Sequence, residues 1–327
     1  MVEPAGEFET IRELFAPLAH PQWGRGLLDD VAAVPSRPGF DLIATKDAIV
    51  EGVHFLPDDP MDTVARKLLR VNLSDLAAKG AEPFGYLLAC AWSPRLDWPE
   101  RQAFAEGLNQ DQGAFGVHLL GGDTVSTPGP ASFSLTALGW TPSGAAVSRA
   151  GARPGDVVVV TGQIGDGWLG LKAARGGLAL DPDRLQALTA HYRSPEPKAA
   201  LADLVLAHAT ASVDVSDGLL ADLTHVLEAS GVGADMALER LPLSRAGLAW
   251  MEDRVDPEAA LLDLATGGDD YEILMTVRPS AVEALRREIE RRHDRLTVLG
   301  EITARRGLRV SHQGQPVAVG RTGWRHG

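Results

Sequence analysis

Apolar residues fall at helical spacing and then at strand spacing along this chain, and the alternation runs through both halves. Phe8, Ile11, Leu14, Phe15 and Leu18 share one face of a helix predicted over 7–18. A loop with Gly24-Arg25-Gly26 then leads to Asp29-Asp30. Leu42-Ile43-Ala44-Thr45 predicts a strand within 41–50, with Lys46-Asp47 at its end. Val64, Leu68, Val71 and Leu76 lie close to one stripe of a helix over 61–79, and Gly80 stands where a terminator belongs. A second long helix is predicted over 98–116. Leu119-Leu120 reads as a short buried strand running into Gly121-Gly122-Asp123-Thr124, and 132–140 as a strand beyond it.

Pro142, Gly144, Gly151, Pro154 and Gly155 crowd together, which is linker chemistry. They divide the chain into an N-terminal domain over 1–145 and a C-terminal domain over 146–327. The second half opens on Val157-Val158-Val159-Val160-Thr161, an apolar run typical of a strand covered on both faces. Gly162-Gln163-Ile164-Gly165-Asp166-Gly167 follows and leads into a helix over 168–174. Its spacing fits neither the dinucleotide nor the Walker fingerprint, so it reads as a tight strand-to-helix turn. Helices over 219–229 and 280–292 and strands over 272–277 and 296–302 make the fold class α/β or α+β.

Composition narrows the class. The 327 residues are 45% hydrophobic and 23% charged, as expected of a protein with a substantial core. A net charge of -13 argues against a nucleic-acid or membrane surface as partner. Cys90 is the single cysteine, which excludes an internal disulfide and cysteine-based zinc sites. With no targeting pattern at Met1-Val2-Glu3-Pro4, the expected compartment is the cytoplasm.

The candidate chemistry lies in carboxylates. Asn72-Leu73-Ser74-Asp75-Leu76 sets Asp75 inside an apolar helical pattern. Asp29-Asp30, Asp47, Gly122-Asp123 and Asp214-Val215-Ser216-Asp217 repeat the theme beside Gly, Ser or Thr. Buried acidic groups need partners, and no comparable set of basic residues accompanies these. Divalent cations are the economical partner, and hard oxygen ligands favour Mg²⁺. Helix capping alone needs one polar residue, whereas Asp214, Ser216 and Asp217 supply three. Gly267-Gly268-Asp269-Asp270-Tyr271-Glu272, taken by itself, reads as an exposed hairpin turn, and His54 by itself as structural.

Together these motifs resemble the thiamine-monophosphate kinases of the aminoimidazole-ribonucleotide synthetase-like superfamily. The pieces are Gly6-Glu7-Phe8, Asp29-Asp30, Glu51-Gly52-Val53-His54-Phe55, Asn72-Leu73-Ser74-Asp75, Gly121-Gly122-Asp123-Thr124, Ser148-Arg149-Ala150-Gly151, Asp214-Val215-Ser216-Asp217-Gly218 and Gly268-Asp269-Asp270-Tyr271-Glu272. The resemblance implies two α/β domains with ATP and several Mg²⁺ ions held between them, and transfer of the γ-phosphoryl group of ATP to thiamine monophosphate. It implies metal ligation by Asp30, Thr45, Asp47, Asp75, Asp123, Asp214 and Asp217. Nucleotide contacts fall on Gly122, Asp123, Arg149 and Ser216, and substrate contacts on His54, Asp269 and Trp324. It also implies a homodimer paired through the N-terminal domains, and no residue serving as general base.

Four positions depart from the family pattern. Lys46 stands where threonine is expected beside Asp47, and Leu28 replaces a glycine. Asp269 is one methylene shorter than the usual glutamate, and Gly327 ends the chain where an aromatic is common. A cation at Lys46 either repels a metal at Asp47 or points away from it. The alternatives are another ATP-using member of the superfamily, such as a selenophosphate synthetase or hydrogenase-maturation enzyme, or an inactive relative that still binds ATP and Mg²⁺. The first two carry reactive cysteines in segments that Cys90 does not match.

Overall fold

The computed structural model of the chain describes residues 6–323. The chain divides into two compact units, one running to Leu76 and including Ala81–Gly144, the other taking Ala77–Gly80 and everything from Ala145.

In the first unit, a helical turn α1 (Glu7–Thr10) continues through wider and tighter turns to Leu18. There follow β1 (Phe40–Val50), α2 (Met61–Ala78), β2 (Glu82–Trp92), α3 (Trp98–Phe115), β3 (His118–Ser126) and β4 (Ser132–Pro142). The strands form one sheet in the order β1-β4-β2-β3. Strands β2 and β3 are parallel, joined by α3, and the other pairs are antiparallel. Leu68, Leu69, Leu73 and Leu76 of α2 and Phe104 and Leu108 of α3 cluster with Ile49, Leu88, Phe133 and Leu135 of the sheet. One face of the sheet is thereby covered.

Strand alternation and register put Leu42, Leu87 and Val125 together on the other face. They are 51%, 40% and 50% exposed. Asp97 caps α3 reciprocally with Glu100. The two helices are locked by the buried Asp111, which receives Nε and Nη2 of Arg70 at 2.7 and 2.9 Å and Nε of Arg66 at 3.2 Å. Removing one partner of such a buried pair strands a charge, at a cost of about 3–5 kcal/mol.

Two features of this unit were not legible in sequence. β2 is central, yet Glu82-Pro83 opens it and Ala89 and Ala91 fill its open face, so no clear alternation announces it. Gly121-Gly122-Asp123 is not a turn after a short strand; it lies within β3, which runs on to Ser126. Gly122 is there because β2 passes close by: a Cβ would stand 1.8 Å from the Leu88 carbonyl oxygen.

The second unit contains β5 (Val157–Thr161), α4 (Asp166–Ala174), α5 (Pro182–Arg193), α6 (Ala202–His208), β6 (Ala209–Asp214), α7 (Leu219–Ser230) and β7 (Gly233–Ala237). It continues with α8 (Arg245–Glu252), α9 (Pro257–Thr266), β8 (Ile273–Val277), α10 (Val282–Arg291), β9 (Leu296–Thr303), β10 (Gly307–His312) and β11 (Gln315–Val317). Its sheet runs β11-β10-β7-β9-β5-β8-β6 and is mixed, with β7 and β10 parallel. Val158 and Val160 pack into the cluster that contains α7, while Val159 packs into the one that contains α10. β5 is therefore covered on both faces, as its apolar run predicts.

Candidate active site

The first carboxylate group assembles where β1 meets α2. Thr45 and Asp47 alternate onto the helix-covered face of β1, and the Thr45 hydroxyl donates to Oδ2 of Asp75 at 2.5 Å. The backbone N–H of Asp47 donates to Oδ1 of Asn72 at 3.1 Å, and Asn72 is in turn fixed through Nδ2 to the Leu68 carbonyl at 2.9 Å. Asn72 is a positioning residue that its motif contained but that sequence reasoning did not single out; the signal was an amide on the apolar stripe midway between Leu68 and Leu76, and it is wholly buried. Burial, reinforced by the neighbouring Asp75 carboxylate, pushes the Asp47 carboxyl up to about 6. Among the described residues neither carboxylate takes part in an ion pair.

Lys46 lies on the opposite face of β1, where its Nζ donates to the Ser134 hydroxyl at 2.6 Å. Of the two dispositions open to this cation, the structure has the one that points away from Asp47.

Asp30, Gly122 and Asp123 line a cavity of about 470 Å³ in the same unit, together with Phe8, Leu28 and Leu88. Oδ1 of Asp123 accepts the N–H of Thr124 at 2.9 Å. Asp29 does have a cationic partner, Arg25, whose hydrogen bond holds its carboxyl below the ordinary range. His54 sits in the turn after β1, with Nδ1 accepting the Val50 N–H at 3.1 Å.

In the second unit Asp214 ends β6 and is buried, and Ser216 and Asp217 occupy the loop into α7. That loop is held by a residue sequence reasoning missed. Oδ2 of the buried Asp222 accepts the N–H groups of Ser216, Asp217 and Gly218 at 3.1, 3.2 and 3.2 Å. Burial, with Asp217 close by, pushes Asp222 up to about 7. Its signal was an aspartate inside the apolar run Leu219-Leu220-Ala221-Asp222-Leu223. Arg149 is exposed, and its carbonyl accepts the Ser230 hydroxyl at 3.0 Å.

The turn at Gly268–Glu272 is not an exposed hairpin. Asp270 and Glu272 are buried there because other groups of the unit need their oxygens. Asp270 accepts the N–H groups of Gly165 and Gly167, and Glu272 accepts the Thr161 hydroxyl at 2.6 Å and an ion pair from Lys198 at 3.1 Å. Burial raises the pKa of both carboxyls, most strongly that of Asp270. Asp269, half-buried, lines a cavity of about 500 Å³ with Trp168, Lys172 and Arg321. Trp324 lies outside the described residues.

The first unit thus brings Thr45, Asp47 and Asp75 into one group, with Asp30, Gly122 and Asp123 along a cavity. In the second, Asp269 reaches the loop of Ser216 and Asp217 through its N–H, which donates to the Ser216 carbonyl at 2.9 Å. Among the described residues no three histidine, cysteine or acidic side chains gather into a ready metal cage. Mg²⁺ does not require one, since it usually takes one or two carboxylates and completes its shell with water and phosphate oxygens. Two carboxylates repelling each other beside a hydroxyl, with no cation paired to them among the described residues, fit that donor set.

The chain also matches known families over most of its length. The family models for AIR synthase related protein, N-terminal and C-terminal domains, match residues 28–141 and 153–313. A thiamine-monophosphate kinase of Caulobacter vibrioides is 47% identical over 325 residues, 99% of this chain and 92% of that protein. The crystal structure of thiamine-monophosphate kinase from Stenotrophomonas maltophilia K279a superposes with a TM-score of 0.79 at 33% identity, covering 89% of this chain and 91% of that one. A solved structure of AaThiL complexed with AMPPCP and TMP gives a TM-score of 0.77 at 28% identity, covering 98% and 97%. Two AIR synthase related domains in order, and near-half identity across almost the full chain, mean that this chain belongs to the thiamine-monophosphate kinase family.

Proposed function

We propose that this enzyme transfers the γ-phosphoryl group of ATP onto the phosphate of thiamine monophosphate, giving thiamine diphosphate, by direct in-line displacement. The observation that carries the mechanism is the Asp47–Asp75 pair, partly desolvated and without an ion-pair partner among the described residues. Asp30, Thr45, Asp47, Asp75 and Asp123 would hold Mg²⁺ in the first unit, and Asp214 and Asp217 would hold it in the second. The ion, when bound, neutralises phosphate charge and the charge developing in transfer.

The remaining work falls to positioning. Gly122 brings bare backbone to the cavity wall beside Asp123, and Arg149 offers a guanidinium suited to a phosphate. Ser216 contributes from a loop that Asp222 holds rigid. His54 and Asp269 face the acceptor, with the Asp269 cavity taking its organic part. The acceptor phosphate has a second pKa of about 6 and is largely ionised at neutral pH, so no side chain has to remove a proton. Catalysis is then orientation and electrostatics.

The active species is proposed to be a homodimer. The open face of the first unit's sheet carries the exposed Leu42, Leu87 and Val125, apolar side chains that a second copy would cover. Among the described residues no helix is long and apolar enough to cross a membrane, and a reaction that consumes ATP is assigned to the cytoplasm.

Incubation with ATP, Mg²⁺ and either thiamine monophosphate or thiamine tests the activity. Thiamine diphosphate is expected from the monophosphate alone and only with Mg²⁺; product from free thiamine would refute the acceptor assignment. Asp75→Asn is expected to lower kcat by about 100-fold or more with an unchanged circular dichroism spectrum. Because Lys46 points away from Asp47, Lys46→Thr should change kcat by no more than about twofold. A restored activity in that variant, against a silent parent, would instead make Lys46 inhibitory. Sedimentation equilibrium should give twice the chain mass, and Leu87→Glu should give the monomer.

The raised carboxyls of Asp47 and Asp222 also set a pH dependence in metal-free protein. The folded chain retains protons that the unfolded chain releases between its ordinary carboxylate range and the folded values of about 6 and about 7. Stability therefore falls as pH rises through that window. Thermal melts in chelator should drop from pH 5 to pH 8, with part of the drop missing in Asp222→Asn. A melting temperature that climbs over this range would contradict the assignment.

A further inference from the structure

The turn Gly268–Glu272 is held more firmly than a contact with substrate requires. Gly268, Asp269 and Tyr271 all adopt positive φ, 76°, 64° and 52°. Asp269 and Tyr271 are not glycines, so this backbone is strained and persists only because its surroundings impose it. Two sets of bonds impose it from different sides. On one side, main-chain bonds tie the turn to the loop after β6: Asp269 N–H to the Ser216 carbonyl at 2.9 Å, Tyr271 N–H to the Val215 carbonyl at 2.8 Å, and Val215 N–H to the Glu272 carbonyl at 2.8 Å. On the other side the tie is a side chain. Oδ1 of Asp270 accepts from Gly165 and Gly167, each at 3.0 Å, and Oδ2 lies 2.9 Å from the Gly165 nitrogen.

The contact on the Asp270 side is close as well as hydrogen-bonded. A Cβ on Gly167 would stand 2.3 Å from the Asp269 carbonyl oxygen, so only glycine lets the turn seat there. The Tyr271 hydroxyl lies 3.1 Å from Oδ1 of Asp269 and donates to it, aiming the carboxylate that lines the cavity with Trp168 and Arg321. The simplest alternative is helix capping, because Gly165 and Gly167 begin α4. Capping alone would make Asp270 a matter of stability. It would not explain why the two strained residues flank the capping side chain, or why one of them carries the cavity carboxylate.

We infer that Asp270 is a positioning residue for the acceptor: by docking its turn onto Gly165–Gly167, it holds Asp269 in the left-handed conformation that sets the Asp269 carboxylate at the cavity wall. This rests on Asp269 facing thiamine monophosphate, as proposed. The two sets of bonds give the inference a directional consequence. Losing the Asp270 side chain frees the acceptor side of the turn. The nucleotide side keeps its main-chain bonds, and its loop keeps the separate support of Asp222. Acceptor binding should therefore suffer and ATP binding should not.

Steady-state kinetics with each substrate varied tests this. Asp270→Asn keeps an oxygen where both N–H groups need it, and its KM for thiamine monophosphate should stay within about threefold of the parent. Asp270→Ala should raise that KM about tenfold or more while KM for ATP moves less than about twofold. In an Asp269→Ala background the same change should add less than about twofold, since Asp270 acts through Asp269. Gly167→Ala, which displaces the turn without removing a hydrogen-bonding group, should reproduce the acceptor-specific loss even where Asp270→Ala does not fold. Equal rises in both KM values, or no rise in Asp270→Ala and Gly167→Ala, would overturn the inference. So would a full tenfold effect in the Asp269→Ala background. An unaltered acceptor KM in Asp269→Ala itself would overturn the role of Asp269 and the inference with it. A parent enzyme that forms no thiamine diphosphate would overturn the proposed activity first.

Discussion

Taking water away from a carboxylate raises its free energy unless a donor or a cation replaces the lost hydration, and both units of this protein are organised around meeting that demand. Asp111 meets it with two arginines, Glu272 with Lys198 and the Thr161 hydroxyl, and Asp222 and Asp270 with backbone N–H groups. Asp47 and Asp75 do not meet it. Among the described residues Asp75 has one threonine hydroxyl and no cation, and burial beside that second carboxylate makes Asp47 hold its proton to about 6. The carboxylates that are satisfied hold the scaffold together. The pair that is not satisfied is where a cation and a phosphate have most to gain by binding.

That contrast explains why helices and loops around the site are fastened so thoroughly. α2 carries Asp75, and it is fixed to β1 through Asn72 and to α3 through Arg70 and Asp111. The loop with Ser216 and Asp217 is tied by main-chain bonds to the turn at Gly268–Glu272, and one buried aspartate gathers three more of its N–H groups. Charged groups that repel one another would otherwise drift apart, and a dissipated pair binds a cation less well. Rigid neighbours keep the repulsion in place until ligand relieves it.

Much of the architecture was legible in the chain. The stripe of Val64, Leu68, Val71 and Leu76 specified α2, and the all-apolar Val157–Thr161 specified a strand with two covered faces. β2 was not legible, because alanines on an open face and a Glu-Pro start blur a period-two pattern. The buried turn at Asp270 was misread for a related reason. Three carboxylates in six residues look solvated until the N–H groups of Gly165 and Gly167, a hundred positions earlier, partner Asp270, and Thr161 and Lys198 partner Glu272.

By itself the sequence determined which chemistry was available: an acidic chain with carboxylates beside Gly, Ser and Thr, one cysteine and no Walker lysine, in the order of a known kinase family. Local spacing is enough for that, because it fixes residue type and helical or strand period. Tertiary structure decided which carboxylates go unpaired and which are braced. It seated Asp270 on the N–H groups of Gly165 and Gly167, and gave Glu272 the Lys198 ammonium and the Thr161 hydroxyl. Those outcomes depend on sheet register and on which face a helix covers. Both are set by contacts between residues far apart in the chain, and no local pattern contains them.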